Sequence, residues 1–98
     1  MSTKSILVVE DEPNIAAPLI RVLKEQGFDA MRVATIFEAK DAMKDNSFSA
    51  IVLDVKLPDG NGFDFCKELR KSNDIPILFL TSVIDEVDKI VGLEIGAD

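Results

Sequence analysis

The chain contains no histidine. That excludes zinc–imidazole sites and histidine-based acid–base catalysis within it. It has a single cysteine, Cys66, so no internal disulfide can form and a reducing compartment is expected. Its apolar runs all fall far short of the roughly 20 residues a membrane span needs, and no basic-then-apolar signal opens the chain. It therefore reads as cytoplasmic. No internal repeat, low-complexity stretch or interdomain linker interrupts it. Basic residues are scarce: 11 Lys and Arg stand against 18 Asp and Glu, a formal charge of −7. That balance disfavours direct binding to nucleic acid or an anionic membrane, and suits a cation or a partner with a basic surface.

What is present is enough for one domain over residues 1–98. A chain of this size buries roughly two-thirds of its unfolded surface, which gives one core with little margin. Strand-like and helix-like segments alternate along it. Ser5–Val9 is a continuous apolar run. Ile15, Ala16, Leu19, Ile20 and Leu23 recur at helical spacing, and Gly27 follows as a stop. Pro18 inside that stretch predicts a helix starting no earlier than Pro13. With Asn14 as N-cap, Pro18 would cost only the first intrahelical bond.

Phe28–Val33 is a weaker strand. Thr35 with Glu38 forms a capping box that starts a helix running to about Lys44. Ala50–Leu53 is a second buried-type strand, and Asp59-Gly60-Asn61-Gly62 is turn chemistry. A helix with Phe63, Cys66 and Leu69 on its apolar stripe extends to about Lys71. Cys66 reads there as a small core residue rather than a reactive thiol. Pro76 opens the strand Ile77–Leu80, and a last helix covers roughly Asp85 to Glu94. The strands at 5–9, 50–53 and 77–80 are apolar on both faces, as strands covered by helices are. The expected fold is α/β, a doubly wound, flavodoxin-like parallel sheet with right-handed crossovers.

Two of these strands end in acid. Ile6-Leu7-Val8-Val9 runs into Glu10-Asp11-Glu12, and Ala50-Ile51-Val52-Leu53 runs into Asp54. Open α/β sheets bind ligands beyond the carboxyl ends of their strands, where the winding order reverses. Glu10, Asp11 and Asp54 fall at those ends. Carboxylates about 4 Å apart repel by about 1 kcal/mol in water and about 4 kcal/mol at an effective dielectric of 20. Such a cluster takes up a proton or a cation. With only oxygen ligands on offer, Mg²⁺ or Mn²⁺ is the natural guest. Asp54 is a competent phosphoryl acceptor, and Thr81 and Ser82, ending the next strand, could hold phosphoryl oxygens by hydroxyl and backbone N–H groups. Glu12 and Asp59 read as solvated loop acids.

The segments Ile6–Glu12, Leu53–Gly62, Pro76–Ser82 and Gly92–Asp98 together resemble the receiver domain of two-component response regulators. The Val-Glu-Asp-Glu start and the Gly-Leu-Glu-Ile-Gly-Ala-Asp end are most similar to regulators with a winged-helix DNA-binding output domain. The resemblance implies that Asp54 is the phosphoacceptor. It implies that Asp11, Asp54 and the Lys56 backbone carbonyl ligate Mg²⁺, and that Glu10 acts through a metal-bound water. Thr81 would bind a phosphoryl oxygen and act as a switch, with Ser82 contributing its backbone. The donor would be a phosphohistidine on a sensor histidine kinase. Enzymatic activity would be limited to self-phosphorylation from that donor and self-dephosphorylation.

The family pattern continues into a fifth strand and helix, carrying a phosphoryl-contacting lysine and a switch aromatic. The sequence ends at Gly96-Ala97-Asp98 without them, so a C-terminally truncated receiver is expected, with impaired phosphorylation. Its strand Ile77–Leu80 would be an exposed edge, inviting self-association or a domain swap. Two other readings compete. A receiver-like module that never takes phosphate would act by protein contacts alone. An aspartate-nucleophile phosphohydrolase usually has a second acid two residues after the nucleophile, where this chain has Lys56. Nucleotide-binding folds fare worse, since no glycine-rich phosphate loop follows the first strand.

Overall fold

The computed structural model describes residues 4–80. Strand β1 (Ser5–Val9) leads to helix α1 (Pro13–Glu25), β2 (Asp29–Val33), α2 (Ile36–Asp45) and β3 (Ala50–Asp54). Two-residue strands β4 (Lys56–Leu57) and β5 (Gly60–Asn61), then α3 (Gly62–Arg70) and β6 (Ile77–Leu80), complete the set. The main sheet has the order β2-β1-β3-β6 and every pair in it is parallel. This is the α/β arrangement expected for the first four strands of a doubly wound sheet. The expected helix at Asp85–Glu94 lies outside the described residues.

Side chains alternate across a strand, so the in-register sheet sorts its apolar residues by parity. Leu7, Val9, Ile51, Leu53, Ile77 and Phe79 form one face and pack with Ala39 of α2 and Phe65 and Cys66 of α3. Ile6, Val8 and Val52 form the other and pack with Leu19, Ile20 and Leu23 of α1. Cys66 is buried, as its place on the α3 stripe required. The deepest side chain of α3 is Phe65, at 2% exposure, rather than Phe63. Phe63 is only half-buried, with its ring stacked at a tilt 4.6 Å from that of Phe79.

Helix ends and turns follow local chemistry, with three departures from expectation. The N-cap of α1 is Glu12, not Asn14, because Pro13 occupies the first helical position, where its missing N–H costs nothing. Pro18 is therefore the sixth helical residue, and the bond it forfeits is to the Asn14 carbonyl. The other end closes at Gly27 with φ +93°. There Gly27 N–H donates to the Lys24 carbonyl and Phe28 N–H to that of Leu23, a Schellman closure. In α2, Thr35 Oγ1 accepts from Glu38 N–H at 3.0 Å as the capping box predicts, but the Glu38 carboxylate reaches back to Ala34 N–H at 2.8 Å. The third departure is the turn after β3, which is a small antiparallel hairpin pairing Lys56 with Asn61 and Leu57 with Gly60.

Candidate functional site

Parity also decides where the acids point. Glu10 continues the row Ile6–Val8, and Asp54 continues the row beginning at Val52. Val9 pairs with Leu53, so the two acids occupy the next rung on adjacent strands. Glu10 is held there by its backbone N–H donating to the Val33 carbonyl at 3.0 Å. Arg32 Nε donates to the Glu10 carbonyl at 3.0 Å. Beyond Asp54, Val55 N–H donates to the Leu80 carbonyl and the Val55 carbonyl accepts from Gly62 N–H at 2.7 Å.

The acids are deeply buried: Glu10 is 0% and Asp54 2% exposed, while Asp11 is half-buried. One carboxylate oxygen from each of the three lies within 4.8 Å of the other two. Glu10 Oε2 accepts from Glu12 N–H at 2.8 Å. Glu10 Oε1 is buried with no hydrogen-bond partner among the described residues. Burial pushes the Glu10 carboxyl up to about 7, against the pull of the Glu12 N–H, and the charges of Asp54 and Asp11 push the same way. Burial also raises Asp54, although Glu10 and the backbone N–H groups of Val55 and Lys56 pull it back. A buried, partnerless carboxylate oxygen is costly and calls for an explanation. A proton shared with Asp54 supplies one, and so does a hard divalent cation, since every donor in the cluster is oxygen.

The hairpin places Lys56 two residues after Asp54, with its side chain exposed. Gly62 closes the other side. A Cβ there would collide with the Asp54 carbonyl oxygen and crowd the Val55 Cα, so α3 can pack against the strand end only through a glycine. Leu80 is the cross-strand partner of Asp54; Thr81 and Ser82 lie outside the described residues.

Comparison with known proteins decides the family. Residues 6–98 match the family model of the response regulator receiver domain. The chain belongs to the response regulator receiver family. It is 39% identical over 94 residues to the sensory transduction protein RegX3 of Mycolicibacterium smegmatis, and 44% over 95 residues to RegX3 of Mycobacterium tuberculosis. Each match covers 96% of this chain and 41% of the relative, so the chain spans under half the length of these relatives. A putative response regulator from Chloroflexus aurantiacus superposes with TM-score 0.84 at 34% identity, over 99% of this chain and 82% of that one. The non-phosphorylated HemR receiver domain from Leptospira biflexa gives 0.77 at 36%, over 97% and 77%. The doubly wound α/β receiver fold expected from the sequence is thus the observed one, and the acidic cluster of this receiver is compatible with the Mg²⁺ pocket of the family.

One acid read from sequence as merely solvated has a structural task. The Asp59 carboxylate accepts from Ile36 N–H at 2.9 Å through Oδ1 and from Phe37 N–H at 3.0 Å through Oδ2. These bonds hold the Asp59 carboxyl below its ordinary value. The partners lie 23 and 22 residues away, and no local spacing rule reaches that far. Glu12 is exposed, and its backbone N–H serves Glu10.

Proposed function

We propose that this receiver is a phosphorylation-controlled signalling switch that takes a phosphoryl group onto Asp54 from a phosphohistidine of a sensor histidine kinase. The observation that carries this reading is the buried cluster of Glu10, Asp11 and Asp54 with its partnerless oxygen on Glu10. Asp11, Asp54 and the Lys56 carbonyl would hold Mg²⁺, or Mn²⁺, with Glu10 acting through a bound water. Bound there, the ion would neutralise the cluster and the charge developing on the phosphoryl oxygens. Asp54 supplies the attacking oxygen: an O–P bond forms, the N–P bond of the donor breaks, and the imidazole keeps the bonding pair. The burial that raises Asp54 also keeps water from the acyl phosphate. Thr81 is assigned to a phosphoryl oxygen and to the switch, and Ser82 to a backbone contact on the same side.

The remaining parts of the reading concern the longer relatives. A DNA-binding, transcriptional output domain would receive the signal, and a cytoplasmic location fits the kinase donor. No helix among the described residues is long and apolar enough to cross a membrane. Incubation with Mg²⁺ and acetyl phosphate tests the centre of the proposal. Intact-mass measurement is expected to show one added phosphoryl group, lost completely in Asp54→Asn. No adduct on a chain extended to the length of its relatives sinks it.

Self-association is a separate proposal with its own support. Among the described residues β6 is an edge strand, and its Leu78 is 45% exposed. An apolar edge of this kind templates pairing with another chain. Light scattering over a wide concentration range is expected to show a rising mean mass. A constant monomer mass refutes it.

A further inference from the structure

The hairpin that follows Asp54 is fastened at three places. At its base the Val55 carbonyl accepts from Gly62 N–H. At its exit Asn61 Oδ1 accepts from Phe63 N–H at 2.7 Å, capping α3. At its tip the Asp59 carboxylate spans the first two amides of α2. With Thr35 Oγ1 on Glu38 N–H and the Thr35 carbonyl on Ala39 N–H, all four leading amides of α2 are satisfied. Two of those four acceptors come from the hairpin. The tip also rests on the helix sterically, since a Cβ on Gly60 would stand 2.8 Å from Ile36 Cδ1.

Of the hairpin residues from Lys56 to Asn61, all but Leu57 are exposed. Core packing alone therefore does little to fix the tip. We propose that Asp59 is a positioning residue for the cation site: by clamping the hairpin to the N-terminus of α2, it holds the Lys56 carbonyl beside Asp54. The inference rests on the reading of that carbonyl as a cation ligand. Partners one shell out from a metal commonly set its affinity by holding the ligands in place. The coupling runs both ways. What binds at Lys56 tightens the hairpin, and so must be felt at the Ile36 and Phe37 amides.

The test is an amide-detected NMR titration of this chain with MgCl₂, together with hydrogen exchange at Ile36 and Phe37. Asp59→Ala is expected to weaken Mg²⁺ binding about tenfold and to speed exchange at both amides. Asp59→Asn, which keeps one acceptor oxygen, is expected to fall between alanine and wild type. Wild-type Mg²⁺ affinity in Asp59→Ala, with both amides exchanging fast, overturns the proposal. The unmutated chain provides a second test that does not depend on how the variant folds. Saturating Mg²⁺ is expected to slow exchange at Ile36 and Phe37, and unchanged rates there refute the coupling. If the wild-type chain binds no Mg²⁺ at all, the cation-site reading itself fails and the clamp falls with it.

Discussion

Asp54 and Asp59 lie five positions apart and stand in opposite physical states. Asp54 shares a buried pocket with Glu10, where burial raises both carboxyls and one oxygen has no partner. Asp59 is exposed, has two backbone N–H partners, and is held below its ordinary value. The first arrangement stores unfavourable electrostatics and awaits a positive charge. The second is already satisfied by the backbone at a helix N-terminus, where negative charge is favoured. Acid at a strand end or in a loop says little alone; what separates site from scaffold is whether the folded chain satisfies it.

The two regions meet at Gly62, and filling that contact should produce the largest effect. In Gly62→Ala the new methyl group must displace the Asp54 carbonyl, because the obstacle is backbone and not a yielding side chain. Overpacking of this kind costs roughly 1–3 kcal/mol. The urea midpoint is expected to fall with its slope unchanged, and Mg²⁺ binding should weaken with it. A variant with both properties intact would show that the α3 junction is looser than its geometry states.

Much of this was legible in the sequence, for identifiable reasons. The strands at 5–9, 50–53 and 77–80 were readable because a strand covered on both faces must be continuously apolar. Glu10 and Asp54 were readable because each ends such a strand. Their shared face follows from parity once the register is known. The Asp59 clamp was not readable, because its partners are defined only when the hairpin folds onto α2. Nor was the demand for glycine at 62, which looked like ordinary turn composition but answers a contact with the Asp54 backbone. Phe63 and Phe65 are two apolar residues on one short helix, and only the folded packing puts Phe65 inside the buried cluster and leaves Phe63 half-buried against Phe79.

An effect of comparable size separates the two regions by pH. Glu10 binds its proton more tightly in the folded chain, near pH 7, than in the unfolded chain, at 4.5. Its contribution is therefore fully present below about pH 4.5 and is lost as pH rises through 7. Without divalent ions, stability should fall between pH 5 and 8 by on the order of 2 kcal/mol. Asp54, also raised, acts in the same direction. Asp59 has the opposite sign: its contribution is present above 3.8 and is lost as pH falls through its lowered value, outside that window. Urea midpoints in chelator at pH 5, 6, 7 and 8 check this. Glu10→Gln should flatten the slope, and Mg²⁺ at about 100 times its Kd should add about 2.7 kcal/mol to the folded state. A midpoint that rises from pH 5 to 8 in chelator would contradict the pocket's electrostatics.

The smallest effect belongs to the residue joining the two regions. Lys56 follows the buried acids and opens the hairpin that ends at Asp59, yet its side chain is exposed. If its task is performed by the backbone carbonyl, the ammonium group is dispensable. Lys56→Ala should then change stability by less than about 0.5 kcal/mol, as exposed substitutions do. Its Mg²⁺ affinity should rise slightly or stay level, because a cation near the cluster opposes a second one. A marked loss of Mg²⁺ binding would show that the side chain, not the carbonyl, organises the site. Retained binding in Lys56→Ala beside weakened binding in Asp59→Ala would locate the hairpin's contribution in its backbone and in the clamp that holds it.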